Sequence, residues 1–312
     1  MNIMHTKSLL LVLLTYLSYH SLYAQQKYIS ITIDDIPNTK NYVKDSSYPK
    51  LLNVLDSLDI PFTIFINEGK IYQTDNIDDN KAALHSWINH KKAYLGNHTY
   101  SHLRYSETNL NTFMDNVKKG EKFTKQFAQV NNKELKYFRF PFNDMGKDSI
   151  QQTQGVESLE SMGYNVAPFT IESADWMFNA IYLNYMKKGL HEKASEIGNL
   201  YVKKTISLVE FFENMAIDIY GRPIPHIYLC HDNMLNAAYL NTIVQILQEK
   251  KYQIISLKKS LEDPIYNSQN HYYKKWGISW LYRWIEDDTK RMYWMKKEPQ
   301  LNDIQDLYNN LN

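Results

Sequence analysis

Two adjacent carboxylates, Asp34 and Asp35, close a stretch that reads Ile29-Ser30-Ile31-Thr32-Ile33-Asp34-Asp35-Ile36-Pro37. Like charges side by side repel, and one pKa of the pair rises unless a cation lies between them. A metal ion meets that need, and so does an arginine. Further along, His98 and His102 stand four residues apart in His98-Thr99-Tyr100-Ser101-His102. If the chain turns helical there, both imidazoles share one face and can hold one metal. Two histidines and one carboxylate of the aspartate pair leave coordination positions open for water and substrate, which marks a catalytic ion rather than a structural one. Arg139 stands alone between Phe138 and Phe140 and needs a partner, Asp175 precedes Trp176, and His231 ends an apolar run. Singly, each has a plain structural reading: a strand-end turn, surface histidines, a surface charge, a core histidine.

The elements that must position these residues follow from periodicity. Ile29, Ile31 and Ile33 alternate with Ser30 and Thr32, which predicts a strand that Pro37 stops. Side chains alternate faces on a strand, so Asp34 and Asp35 point the same way only if the chain turns there. Helical spacing then predicts a helix over 48–58, followed by an apolar strand over 60–66, a helix over 81–90 and a strand over 94–98. One long amphipathic helix is expected over 108–130, and strands over 137–141 and 165–170. Residues 177–220 read as helical with a break near Gly189, followed by a strand over 226–231, a helix over 235–250 and a strand over 252–257. This β–α–β rhythm predicts a parallel sheet with helices outside it. In such folds ligands gather at the C-terminal ends of the strands, where the candidate residues fall. Cys230 should point away from His231 into packing. The tail beyond Asp263 carries Tyr272, Tyr273, Trp276, Trp280, Tyr282, Trp284 and Trp294. So many rings in water would make a sticky patch, so the tail is expected to pack back on the barrel and extend a groove rim.

The N-terminus reads as a secretory signal peptide: Lys7, an apolar run from Leu9 to Leu17, and a small residue at Ala24 where cleavage is expected. The apolar run is short of the roughly 20 residues that span a bilayer, and no cysteine near the cleavage point offers a lipid anchor. Export to the periplasm or the extracellular space is expected, with no membrane span after cleavage. The whole chain carries 35 basic and 34 acidic side chains, so it lacks an electrostatic footprint for nucleic acid or anionic lipid. One cysteine allows no internal disulfide, and a chain of 312 residues can build a core without one. Twenty-five tyrosines and six tryptophans add a weak pointer to carbohydrate.

In order, Thr32-Ile33-Asp34-Asp35, His98-Thr99-Tyr100-Ser101-His102, Arg139-Phe140-Pro141-Phe142, Asp175-Trp176 and Leu229-Cys230-His231 resemble the five motifs of polysaccharide deacetylases, the NodB-homology enzymes of carbohydrate esterase family 4. The resemblance covers roughly residues 27–260. It implies an α/β fold, a distorted (β/α) barrel, and metal-dependent removal of N- or O-acetyl groups from an acetylated glycan. It divides the chain into a signal peptide (1–24), a catalytic domain (25–262) and an aromatic-rich C-terminal extension (263–312). By the same resemblance Asp35, His98 and His102 hold a divalent metal, zinc first, with cobalt, nickel or manganese as alternatives. Asp34 is the general base, and Arg139 holds it in place and keeps it ionised. The Phe142 N–H stabilises the oxyanion, His231 is the general acid, Asp175 orients His231 and raises its pKa, and Trp176 walls the acetyl pocket. No other cofactor is implied. Ile36 and Asn143 stand where many members of the family carry glycine, and Glu172 where a shorter acid is usual. Isoleucine does not tolerate positive φ, so the loop at Ile36 is expected to take another path and its side chain to reshape the site. Two rivals use the same residues. A degenerate, non-catalytic barrel that binds glycan would have lost a metal or proton-transfer residue, and none is lost. A non-haem iron oxygenase would need neither a second carboxylate nor a separate acid.

Overall fold

Isoleucines at 29, 31, 33 and 36 give strand β1 (Lys27–Ile36) its β-branched buried positions. The computed structural model describes residues 26–39 and 48–311; the signal peptide expected over 1–24 lies outside them. The further strands are β2 (Phe62–Ile66), β3 (Ala93–Asn97), β4 (Leu135–Phe138), β5 (Asn165–Val166), β6 (Ile171–Glu172), β7 (His226–His231) and β8 (Tyr252–Ile254). All pairings are parallel, in the order β5-β4-β3-β2-β1-β7-β6, with β8 joined to the start of β1.

β5 and β6 stand at opposite ends of that order, yet only residues 167–170 separate them. An extended chain covers at most about 3.6 Å per residue, so the two edges lie within about 18 Å of each other. The sheet therefore curls into an incomplete barrel, as expected for a distorted (β/α) barrel. The single strand expected over 165–170 is instead two short ones on opposite edges. Pro168, which has no N–H to give to a ladder, lies in the crossing between them.

Helices α1 (Lys50–Leu58), α2 (Ile77–Asn89), α3 (Leu110–Lys119), α4 (Lys122–Val130), α5 (Ser149–Ser161), α6 (Asp175–Lys187), α7 (His191–Tyr220) and α8 (Met234–Glu249) fill the connections. The isoleucine face of β1 shares one core with Leu51, Leu52 and Leu55 of α1 and Leu240, Ile243 and Val244 of α8. The other face of the sheet carries Phe65, Tyr137, Ala167 and Ile227, a separate small cluster inside the curl. Beyond β8 lie α9 (Leu257–Ser260), α10 (Trp280–Arg283), α11 (Asp288–Lys297) and α12 (Asn302–Asn309).

The helix expected over 108–130 is two, α3 and α4. It breaks at Gly120, where the chain passes so close to the loop after β3 that a Cβ would lie 2.6 Å from the Thr99 carbonyl carbon. Gly189, with φ of 71°, separates α6 from α7 as expected. Of the tail rings, Tyr272, Tyr282, Trp284 and Trp294 are buried, and Tyr273 and Trp276 stay exposed. Trp294 packs edge-on against Phe211 of α7, and the Trp280 N–H donates to the Phe169 carbonyl. Among the described residues no helix is long and apolar enough to cross a membrane.

Candidate active site

β1 does not run straight through its acid pair. Asp34 still pairs with His231 of β7, but Asp35 turns left-handed (φ 69°) and the register against β2 slips between Ile33 and Ile36. That turn brings both carboxylates to one cavity of about 670 Å³. The strained position thus falls on an aspartate, a residue type that visits this region more readily than a β-branched one. Ile36 does not reshape the site as expected: it is fully buried in the core and pairs with Ile66.

His98 follows β3, and His102 lies in the loop beyond it. The helical turn that could have united them is absent. Thr99 (φ 65°) and His102 (φ 57°) are both left-handed, and the loop folds one ring back on the other with centroids 5.0 Å apart. Neighbouring side chains and backbone pin this loop. The Asn67 amide donates to the His98 and Thr99 carbonyls, Asn97 Oδ1 accepts from the Thr99 N–H at 2.7 Å, and the Gly69 N–H donates to the Tyr100 carbonyl at 2.9 Å.

The donor set fits a divalent cation. His98 Nδ1 donates to the Arg139 carbonyl at 2.7 Å, which leaves its Nε2 as a ligand atom. One ligand atom from each of Asp35, His98 and His102 can be chosen so that all three lie within 4.8 Å of one another. Asp35 Oδ1 is buried without a hydrogen-bond partner, while Oδ2 is held by Lys70 Nζ at 3.2 Å. Burial pushes both imidazoles down to about 4, so each offers a lone pair. Burial works against an ionised Asp35, but Lys70 and the histidines outweigh it and hold the carboxyl below its usual range. Two neutral imidazoles and a carboxylate accept zinc, cobalt, nickel or manganese.

Arg139, fully buried, donates from Nη1 to Asp34 Oδ1 and Thr32 Oγ1, both at 2.8 Å, and from Nη2 to the Pro168 carbonyl at 3.1 Å. Its guanidinium lies 4.2 Å from the Phe65 ring centroid. Burial raises the Asp34 pKa above the ordinary carboxylate value against the pull of Arg139 and His231. The resemblance implied the reverse direction; the interior is dry enough for desolvation to win.

Asp175 opens α6, where a helix N-terminus favours negative charge. It accepts His231 Nδ1 at 2.6 Å, the His231 N–H at 2.8 Å, and the side-chain amides of Asn233 and Asn236 at 2.9 and 2.5 Å. Asn233 also caps α8, and Tyr201 of α7 donates to Asn236 Oδ1 at 2.6 Å. Burial disfavours the His231 imidazolium, yet Asp175, then Asp35 and Asp34, raise its pKa to about 10. The ring stays charged and has a proton to give. Cys230 is buried, its Sγ 3.6 Å from the Thr32 carbonyl.

Phe142 (φ 58°) and Asn143 (φ 52°) make a left-handed pair after β4. The Phe142 ring lies edge-on to His102 at 4.3 Å and 3.9 Å from the Arg104 guanidinium. Trp176 is half exposed, its edge against Tyr308 at 5.2 Å. Of the residues expected from sequence, Asp34, Asp35, His98, His102, Phe142, Trp176 and His231 line the cavity, with Arg139 and Asp175 buried behind. Lys70 also lines it and belongs to no expected motif; its sequence context carries no signal for the role. Trp276 and Gly277 line it from the tail. Glu172 lines it too, and burial together with the charge of Asp175 pushes its pKa up to about 7.

With this geometry in hand, residues 22–166 match the polysaccharide deacetylase family model. Over that stretch, a little under half of its length, the chain is similar to this family. The match ends before Asp175 and His231; β7 brings His231 to the same cavity, and the start of α6 sets Asp175 behind it. Among solved structures, a CE4-family pseudoenzyme from Bacillus anthracis is 15% identical at TM-score 0.50, with 76% of this chain and 66% of that one covered. This chain thus spans about two thirds of that protein's length, and the likeness is one of fold. The catalytic domain of a peptidoglycan N-acetylglucosamine deacetylase from Eubacterium rectale is 18% identical at TM-score 0.49, covering 76% of this chain and 91% of that one. A family 4 carbohydrate esterase from Streptomyces lividans, in complex with acetate, is 20% identical at TM-score 0.46, covering 75% and 95%. No curated protein sequence matches the chain.

Proposed function

We propose that this chain is an exported, metal-dependent hydrolase that removes acetyl groups, N-acetyl foremost, from a polysaccharide or oligosaccharide. The observation that carries the reading is one cavity lined by a donor trio fit for a divalent ion, a buried carboxylate and a histidine held by Asp175 at 2.6 Å. Asp35, His98 and His102 would hold the ion, zinc foremost. Bound there, it would lower the pKa of a water and draw electron density from the acyl carbonyl.

Asp34 takes a proton from the attacking water as the water oxygen bonds to the acyl carbon. Its raised pKa makes it the stronger base, and Arg139 fixes its direction. The Phe142 N–H donates to the acyl oxygen as negative charge builds there. His231 gives its Nε2 proton to the sugar nitrogen as the carbon–nitrogen bond breaks, leaving acetate and a free amine. Asp175 keeps the His231 ring oriented, and Trp176 walls the acyl group.

The test is acetate release from a panel of acetylated glycans by the purified protein: untreated, after chelation and after zinc return, beside Asp34→Asn and His231→Ala. Release that vanishes with the chelator, returns with zinc and is lost in both variants is the expected result. Release indifferent to chelation would overturn the metal reading. No release with tight glycan binding would move the protein to the non-catalytic glycan-binding reading.

A further inference from the structure

Trp276 is the one tail tryptophan that the fold leaves open: it is 62% exposed while Trp284 and Trp294 are buried. Its backbone is nevertheless held firmly. Arg283, 1% exposed, donates from Nη2 to the Trp276 carbonyl at 3.1 Å and to the Asn143 carbonyl at 3.4 Å, and from Nη1 to the Tyr272 carbonyl at 3.1 Å. A buried guanidinium bonded only to carbonyls is costly to dehydrate, so this tie between the tail and the Phe142–Asn143 loop is a built feature. Gly277 makes the same contact from the other side: a Cβ there would lie 2.3 Å from the Phe142 carbonyl oxygen. The backbone that carries this exposed indole is thus fixed beside the loop whose Phe142 ring touches His102.

The cavity this indole lines also carries two half-exposed rings, Phe142 and Trp176, and the side-chain amides of Asn143 and Asn179. Rings that present apolar faces beside amides that give and accept hydrogen bonds suit a ligand with C–H faces and hydroxyl edges, which is a sugar. At about 670 Å³ the cavity is in the range that holds a drug-sized ligand, larger than a single acetyl group needs.

Resting on the deacetylase reading, we propose that Trp276 is a stacking face for the pyranose next to the one that bears the acyl group. The protein then acts on chains of two or more sugars in preference to a single acetylated sugar. The test uses Asp34→Asn protein, which should bind without hydrolysing, titrated by calorimetry with mono-, di- and tetrameric N-acetylglucosamine and with acetylated xylo-oligomers. Adding Trp276→Ala should weaken tetramer binding about tenfold and flatten the preference for tetramer over monomer, and Trp276→Phe should restore part of it. Equal tetramer affinity with and without the indole would overturn the proposal, and so would no binding of any oligomer. Trp276-dependent binding with no acetate released by the unmodified protein would leave the stacking face standing and remove the deacetylase reading instead.

Discussion

Asp34 and Asp35 are adjacent in the chain and different in environment: the first lines the cavity with Arg139 bonded behind it, the second faces two neutral imidazoles and Lys70. Their substitutions should separate accordingly. Asp34→Asn should lower acetate turnover by about 10²–10⁴ with metal content by elemental analysis unchanged. Lys70→Met frees the second oxygen of Asp35 and removes the charge that keeps it ionised. Zinc affinity by chelator competition should fall about 10–100-fold, with Lys70→Arg recovering part of it. Glu172 gives a pH signature. A carboxyl whose folded pKa is raised supports the fold while protonated; that support is whole below about 4.5 and is lost as pH climbs through about 7. Glu172→Gln should therefore match the parent in denaturant unfolding at pH 4.5 and exceed it at pH 8, by on the order of 2 kcal/mol. The acids, histidines and arginine of the site were legible because their types and spacing are unusual at strand ends. Lys70 was not, because an isolated lysine says nothing until the short helix at 68–72 sets it against Asp35.

At the scale of elements, β7, α8, and the split of α6 from α7 at Gly189 followed from apolar periodicity and one glycine. The errors came where tertiary contact overrides local pattern. Residues 108–130 keep a helical rhythm throughout, and nothing local reveals that Gly120 must break it to let the Thr99–Tyr100 backbone pass. The spacing of His98 and His102 suggested a helical turn, whereas two left-handed residues and the Asn67 amide build a loop that does the same work. Gly120 has an ordinary negative φ (−79°), so Gly120→Ala tests contact rather than backbone strain. It should cost about 1–3 kcal/mol in urea unfolding and weaken zinc binding as well, since the displaced segment carries both histidines. A loss of stability with zinc affinity intact would mean that the loop holds its shape without that contact.

Across the whole molecule, the tail covers surface that the barrel cannot leave bare: Tyr282 packs on Phe212 and Trp294 on Phe211, both from α7. A chain ending at residue 262 should bind a hydrophobic dye strongly and aggregate at concentrations where the full chain is monodisperse by light scattering. The parallel sheet was legible from the alternation of strands and helices, and its curl only through the family resemblance; its near closure through residues 167–170 was not, because no local pattern tells one strand from two that face each other. The pairing of β1 with β7, which sets Asp34 beside His231, also has a consequence in time. Loop closure over so much intervening chain is slow, and proteins dominated by such distant pairings fold slowly. A ribosome still working on α7 has released a first strand with its acids in place and no neighbour on one flank. The cavity therefore cannot exist on a nascent chain that lacks β7: it is assembled late, once residues 226–231 have been made and have joined β1.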